Sequence, residues 1–166
     1  MLGRKLGIDL GTANSVVFLQ GEGVVLTEPT VVAIDLDTFT VVAVGKDAKK
    51  MIGKTPDNII AKRPLRDGVI ADSRITEALL KHFFDRALGR ARFFKPDVVM
   101  SVPAGITSVE ERAVLKAANA VGSKTITLLP EPLLAALGAE LPIHTSSGNM
   151  IVNMGGGTCE IAVISL

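Results

Sequence analysis

Two glycine-containing turns, one near each end of the chain, have the residue types of a phosphate-binding site. The first turn lies in Asp-Leu-Gly-Thr-Ala-Asn-Ser at 9–15, and the second lies in Asn-Met-Gly-Gly-Gly-Thr-Cys at 153–159. Each is flanked by two apolar runs that predict strands, with Asp9 or Asn153 at the end of the first strand. Glycines and short polar residues leave several backbone N–H groups uncovered, which is what a polyphosphate requires. Two such turns facing each other could hold one nucleotide from both sides.

Each of these features also has a purely structural interpretation. A glycine turn between strands can be only a permissive connection, and Asp9 can accept hydrogen bonds from the amides of its own turn. Glu131, at the start of a helix predicted at 132–141, can simply offset the helix dipole. Taken singly, the structural interpretation is favoured for Asp9 and for Glu131 and is about as good as the functional one for the glycine turn. The presence of two similar turns in one chain favours phosphate binding.

Composition limits the class of protein. The 166 residues are 48% hydrophobic and 21% charged, which predicts one folded domain with room for a small insertion. The net charge of +1 gives no electrostatic case for a nucleic-acid partner. The single cysteine, Cys159, excludes an internal disulfide and fits a reducing compartment. No apolar run approaches the roughly 20 residues of a membrane span, and the N-terminus lacks a signal-peptide core, so we expect a cytoplasmic protein.

The rest of the pattern predicts an α/β protein with a mixed sheet flanked by helices. Ile75, Leu79 and Phe83 recur every four residues and predict a buried stripe on a helix that begins at Asp72 or Ser73. Thr107 and Glu110 form a capping box, and the helix that follows should carry Val109, Ala113, Ala117 and Val121 inward. Further strands are predicted at 5–10, 16–20, 30–34, 41–44, 97–102, 125–129, 150–152 and 161–164, and a polar stretch at 46–69 holds only a short helix.

Five ordered segments closely resemble the MreB family of bacterial actin-like proteins. They are Asp-Leu-Gly-Thr-Ala-Asn at 9–14, the run at 63–72, Val-Pro-Ala-Gly-Ile-Thr at 102–107, Glu131-Pro132, and Gly-Gly-Gly-Thr at 155–158. The resemblance covers essentially the whole chain. It implies an actin-like ATPase (ribonuclease H-like) fold, with a first subdomain at 1–32 and 70–146 and a small inserted subdomain at 33–69. Residues 147–166 would be the first hairpin of a second domain that is otherwise absent, so we expect a fragment or a chain that needs a partner.

The resemblance also implies ATP or ADP with Mg²⁺ as cofactors. It assigns Asp9 to Mg²⁺ through water, and Glu131 and Thr158 to catalysis, Glu131 by orienting the attacking water. The residues expected to contact the nucleotide are those of the two turns: Gly11, Thr12, Ala13, Asn14, Gly155, Gly156, Gly157 and Thr158.

Asn153 stands where the family has an aspartate. A neutral amide attracts a metal ion less than a carboxylate and does not act as a base, so its place among the metal contacts is weak. We expect slower ATP hydrolysis than in an Asn153→Asp variant, with a smaller difference in nucleotide affinity. Turnover of both proteins at full length tests this expectation, and equal rates would contradict it. Neutral drift is the competing explanation.

Phe93 and Phe94 form the most distinctive apolar pair. They lie between Gly89 and Pro96 with basic residues around them, a pattern that suits insertion at an anionic membrane surface. From the residues alone, at least one of them packing under the loop is slightly favoured. Some members of the family bind membranes through a hydrophobic loop at this position, so the resemblance favours membrane contact.

As a whole, the resemblance implies a slow ATPase of the cell-shape cytoskeleton that assembles into filaments. It would lie in the cytoplasm on the inner face of the cell membrane, with cell-wall elongation proteins as partners and no nucleic acid.

Two alternatives stay open: a truncated, non-catalytic half that serves as an interaction module, and another ATPase or kinase of the same superfold. His82 and His144 have no ligand-spaced neighbours and are predicted to be surface or packing residues.

Overall fold

The computed structural model describes residues 4–66, 68–89 and 95–165, and Phe93 and Phe94 therefore lie outside the described residues. Within these ranges the chain forms twelve strands and four helices. The strands are β1 Lys5–Leu10, β2 Asn14–Leu19, β3 Gly23–Pro29, β4 Val32–Asp35, β5 Val41–Val44, β6 Ile59–Lys62, β7 Leu65–Arg66, β8 Val69–Ile70, β9 Asp97–Val102, β10 Thr125–Pro130, β11 Asn149–Met154 and β12 Cys159–Ile164. The helices are α1 Lys46–Met51, α2 Ser73–Leu88, α3 Ser108–Ala120 and α4 Glu131–Gly138. None of the described helices is long and apolar enough to cross a membrane.

A five-stranded mixed sheet in the order β10-β9-β1-β2-β3 forms the main body. β1, β9 and β10 are parallel, whereas β1, β2 and β3 pair antiparallel. Because the carboxyl ends of parallel strands lie at the same edge of a sheet, the residues ending β1, β9 and β10 meet there. The register pairs Ile8 with Met100 and Val102 with Pro130, so Asp9, Ser101 and Glu131 are brought to this edge.

One face of this sheet carries the main core. Leu6, Ile8 and Met100 are buried in the same apolar cluster as Leu79 and Phe83 of α2. This confirms the stripe predicted for α2. Burying such alternate side chains on each strand is what a sheet with helices packed on one face requires.

The capping box predicted at Thr107 and Glu110 is present at the start of α3. The prediction that Val109 faces the core is wrong, because its side chain is 66% exposed. Val114 is buried instead, beside Ala117. Residues four apart in an α-helix are offset by about 40° around its axis, because four residues turn through more than one full revolution. Val109 is eight residues before Ala117, so its side chain no longer faces the same side.

A second, smaller sheet in the order β5-β4-β6 packs against α1. Its own core consists of Val31, Ala33 and Ala48. The expectation of only a short helix in 46–69 missed β6 and the β7–β8 pair. Strand β6 is recognisable through its pairing with β4, a long-range contact that local residue types do not reveal.

β11 and β12 form a separate two-stranded hairpin that packs against α4. Five apolar side chains on the hairpin are largely exposed: Met150, Val152, Met154, Ile161 and Val163. The register pairs Asn153 with Glu160, which places both of these polar side chains next to each other at the turn end of the hairpin.

Candidate functional site

The first turn, between β1 and β2, is held by a buried threonine. The Thr30 hydroxyl donates to the carbonyl oxygen of Gly11 at 2.6 Å, and the Thr30 amide donates to the carbonyl oxygen of Ala13 at 3.0 Å. Ser15 Oγ lies 2.8 Å from Thr30 Oγ1 and completes this buried network. A Cβ on Gly11 would lie 2.6 Å from the carbonyl oxygen of Asn14, so only glycine fits there. The requirement is space, since Gly11 does not have a positive φ.

The segment that follows β6 also contacts the first turn. Arg63 Nη1 donates to the carbonyl oxygens of Thr12 and Ala13 at 3.0 and 2.8 Å. The Gly68 amide donates to Thr12 Oγ1 at 3.0 Å. In the sequence this segment contributes only to the resemblance, which predicts no role for Arg63 or Gly68.

The second turn lies directly against the first. A Cβ on Gly156 would collide with Ala13, and one on Gly157 would lie 2.7 Å from Thr12 Cγ2. The turn is closed by the Gly155 amide, which donates to the carbonyl oxygen of Thr158 at 2.8 Å. The structure thus brings together the two turns that the sequence placed far apart, and close approach requires glycine at 156 and 157.

Several amides of both turns are available for a ligand. Within the described parts of the chain, the N–H groups of Thr12, Ala13, Gly156 and Gly157 donate no hydrogen bond. Both turns line a cavity of about 250 Å³. Amides without partners on two sides of one cavity form a concave surface that favours an anion.

Four polar side chains gather at the other side of this cavity. Asp9 ends β1 and accepts a hydrogen bond from Ser101 Oγ at 2.7 Å. Glu131 begins α4, and the amide nitrogen of Asn153 donates to its Oε2 at 3.3 Å. Asp9, Glu131 and Asn153 all line the cavity, so the structure brings together the predicted metal contacts and the predicted catalytic glutamate.

Glu160 is a member of this cluster that the sequence reasoning missed. Its Oε1 accepts the amide of Ala104 at 2.7 Å, while its Oε2 is buried and has no hydrogen-bond partner among the described residues. The available signal was an acidic residue on an otherwise apolar strand, opposite Asn153 in the hairpin.

Burial and the neighbouring carboxylates of Glu160 and Asp9 together raise the pKa of Glu131 from 4.5 to about 7, and burial is the largest cause. The hydrogen bond from the amide of Asn153 acts in the opposite direction. When Glu131 and Glu160 are both ionised, their like charges repel and neither group can donate a hydrogen bond to the other. A proton on Glu131 removes this repulsion. A carboxyl group with a pKa near neutrality can both hold and release a proton at the pH of a cell.

The residues that line this cavity suit a cation bound by protein and phosphate together. They are less suited to a cation bound by protein side chains alone. No group of three or more His, Cys, Asp or Glu side chains in the described ranges is placed to hold a metal ion. Asp9 and Glu131 are the two carboxyl side chains that line the cavity, together with the amide of Asn153. Mg²⁺ is commonly held in this way, by one or two carboxylates together with phosphate oxygens and water.

A second cavity of about 360 Å³ continues from the carboxyl cluster along the sheet face opposite the core. Its apolar lining includes Gly7, Val16, Phe18, Val99 and Leu134. The polar cluster is therefore flanked by the turns on one side and by an apolar groove on the other.

Sequence comparisons match this chain to one protein family along essentially its whole length. A model of the family described as MreB/Mbl protein matches residues 3–166. The cell shape-determining protein Mbl of Bacillus cereus is 52% identical over 166 residues, which are 100% of this chain and 50% of that protein. The cell shape-determining protein MreB of Escherichia coli is 48% identical over 172 residues, covering 100% of this chain and 49% of that protein. The chain spans about half the length of the curated relatives it matches.

Solved structures show the same fold. MreB 5 of Spiroplasma citri bound to AMPPNP matches with a TM-score of 0.90 and 37% identity, covering 99% of this chain and 50% of that one. The MamK double helical filament matches with a TM-score of 0.74 and 25% identity, covering 96% of this chain and 49% of that one. These matches confirm the predicted actin-like fold.

Proposed function

Because this chain belongs to the MreB/Mbl family, we propose that it forms one side of the nucleotide site of an actin-like cell-shape protein. The nucleotide is ATP or ADP bound with Mg²⁺, and the two glycine turns hold its phosphates. The bound AMPPNP of the Spiroplasma citri relative supports this proposal, since that structure matches 99% of the chain.

The observation that carries the proposal is the pair of turns with unpaired amides. Thr12 and Ala13 on one side, and Gly156 on the other, line one cavity and have N–H groups without partners in the described structure. An unsatisfied amide in a cavity is costly unless water or a ligand accepts its hydrogen bond. A polyphosphate supplies acceptors to both turns at once.

The carboxyl cluster gives the chemistry of the site. Asp9 would contact Mg²⁺ through water, with Asn153 as a weaker neighbour. When bound, Mg²⁺ supplies positive charge that neutralises the phosphate oxygens. Glu131 holds a water or a proton beside them, and Thr158, which also lines the cavity, contributes its hydroxyl.

The wider function follows from the relatives. We propose self-association into filaments, supported by the MamK double helical filament as a structural neighbour. We also propose a cytoplasmic protein lying on the inner face of the membrane, in contact with cell-wall elongation proteins. The proposed contact with the membrane depends on the side chains of Phe93 and Phe94.

A non-catalytic half remains the second candidate, and a specific observation favours it. The hairpin β11–β12 exposes Met150, Met154, Ile161 and Val163, each by more than 60%. Such an apolar surface is typical of an interface. In this case the chain would serve as an interaction module. The family match favours either of these functions over a kinase of the same superfold.

Titration calorimetry with ATP–Mg²⁺ distinguishes the two candidates. We expect the 166-residue chain to bind ATP–Mg²⁺, and the protein at full length to bind more tightly. Adenosine is the matched control, because it lacks the phosphates that the turns would hold. No binding by either protein would contradict the nucleotide site, and binding by the full-length protein alone would assign this chain the role of a structural half.

A further inference from the structure

Arg63 makes an unusual pair of contacts for a surface arginine. Its side chain is exposed, yet the same nitrogen donates to two consecutive carbonyl oxygens of the first turn, those of Thr12 and Ala13. The carbonyl of Ala13 also accepts the amide of Thr30. Both peptide groups in the middle of the turn are thus held by donors outside the cavity, and Arg63 does not line that cavity.

The planarity of the peptide bond gives these contacts a consequence for the ligand side. In a trans peptide, the C=O of one residue and the N–H of the next point in opposite directions. The hydrogen bond to the carbonyl of Thr12 therefore directs the N–H of Ala13 away from Arg63. The hydrogen bond to the carbonyl of Ala13 likewise directs the N–H of Asn14 away from Arg63. Thr12, Ala13 and Asn14 all line the cavity.

Arg63 also connects the turn to the small sheet. It follows Lys62, the last residue of β6, which is an edge strand of the sheet β5-β4-β6. The same segment also lies close to both turns at Gly68. The Gly68 amide donates to Thr12 Oγ1, and a Cβ added at Gly68 would lie 3.2 Å from Thr158 Cγ2. The first turn and the end of β6 are therefore joined directly by the hydrogen bonds of Arg63.

We propose that Arg63 is a positioning residue that orients the first turn toward phosphate and links occupancy of the turn to the small sheet. This inference rests on the nucleotide site proposed above. A guanidinium suits the task because it is always charged and presents several donors from a rigid plane. Lysine keeps the charge on a shorter, more strongly hydrated side chain, so it should replace arginine only in part.

The test compares Arg63→Ala and Arg63→Lys with wild type in the full-length protein. We expect Arg63→Ala to weaken ATP–Mg²⁺ and ADP–Mg²⁺ binding about five- to tenfold, because the charge-assisted hydrogen bonds to the carbonyls of Thr12 and Ala13 are lost. Adenosine affinity should stay unchanged. Arg63→Lys should bind with intermediate affinity. Arg112→Ala is the matched control, since Arg112 is exposed on α3, a helix that packs against α2, β8 and β10.

Hydrogen exchange supplies a second measurement that does not depend on activity. In wild type, ATP–Mg²⁺ should slow exchange in β6, and Arg63→Ala should abolish this protection while Arg112→Ala retains it. Without nucleotide, Arg63→Ala should speed exchange in residues 11–15. An Arg63→Ala protein with wild-type ATP affinity, an equal loss of adenosine affinity, or full rescue by lysine would each overturn the proposal. If wild type itself fails to bind ATP–Mg²⁺, the proposed nucleotide site fails, and faster exchange in the free variant would still establish the restraint on the turn.

Discussion

At the scale of single residues, Glu131 is the group whose environment changes its chemistry most. It is held between the amide of Asn153 and the carboxylates of Glu160 and Asp9. With a pKa near neutrality, it is a better proton acceptor than an ordinary glutamate and is partly protonated in the cell. The sequence predicted Glu131 as a catalytic residue by resemblance, but its proton affinity depends on neighbours from β1 and β12.

The raised pKa makes the stability of the folded chain depend on pH. Below 4.5 Glu131 is protonated in both states, and above about 7 it is ionised in both. Between these values the folded state binds more protons, so stability should fall as pH rises. Glu131→Gln should remove this dependence and be more stable than wild type above neutral pH by roughly 1–2 kcal/mol, a figure reduced for solvent screening.

Urea unfolding from about pH 5 to about pH 8 measures this difference. Glu77→Gln, at an exposed position on α2, is the matched control and should follow the wild-type pH dependence. Parallel stability curves for wild type and Glu131→Gln would show that Glu131 has no raised pKa in the folded chain.

At the scale of elements, the two hairpin turns are similar in sequence but are built differently. The first is held by Thr30 and Arg63 from outside, whereas the second is closed by the bond between Gly155 and Thr158. Neither turn needs glycine for a left-handed backbone, since none of Gly11, Gly155, Gly156 and Gly157 has a positive φ. At Gly11, Gly156 and Gly157 glycine is needed because an added Cβ would strike Asn14, Ala13 and Thr12 respectively.

Gly156→Ala should therefore separate the turns without unfolding them. Its new methyl group would strike Ala13, so we expect ATP–Mg²⁺ affinity to fall at least about tenfold. The free energy of unfolding should change by less than about 1 kcal/mol, because the turn is exposed. Calorimetry and urea unfolding measure the two effects. Gly138→Ala, where the added methyl group meets open space, is the control, and equal affinities for the two variants would contradict the close contact between the turns.

At the scale of the whole molecule, the chain presents two kinds of incomplete surface. The cavity between the two turns is bounded by the carboxyl cluster, and the hairpin β11–β12 carries exposed apolar side chains. Relatives of the family are about twice as long as this chain. Filament formation and membrane binding are therefore proposals for the protein at full length.

The membrane prediction depends on residues outside the described ranges. Replacing Phe93 and Phe94 together by alanine should reduce pelleting with anionic liposomes about tenfold or more, because two apolar side chains leave the interface. Phe39→Ala is the control, since Phe39 is 74% exposed but lies on the small sheet between β4 and β5. Unchanged pelleting of the double variant would show that the pair is not the membrane anchor.

The sequence by itself determined the fold class, the buried stripe of α2, the capping box of α3 and the two turns. These are local patterns of residue type and spacing, and local physics is sufficient to specify them. It also suggested Asp9 and Glu131, through motifs that follow strands or begin helices.

Tertiary structure alone decided which of these features meet. The parallel register of β1, β9 and β10 places Asp9 beside Ser101, and the packing of the hairpin against α4 places Glu160 beside Glu131. Arg63 reaches carbonyls 50 and 51 residues earlier in the chain. Charge repulsion, burial and peptide orientation all act through space, and no pattern along the chain records distances of that kind.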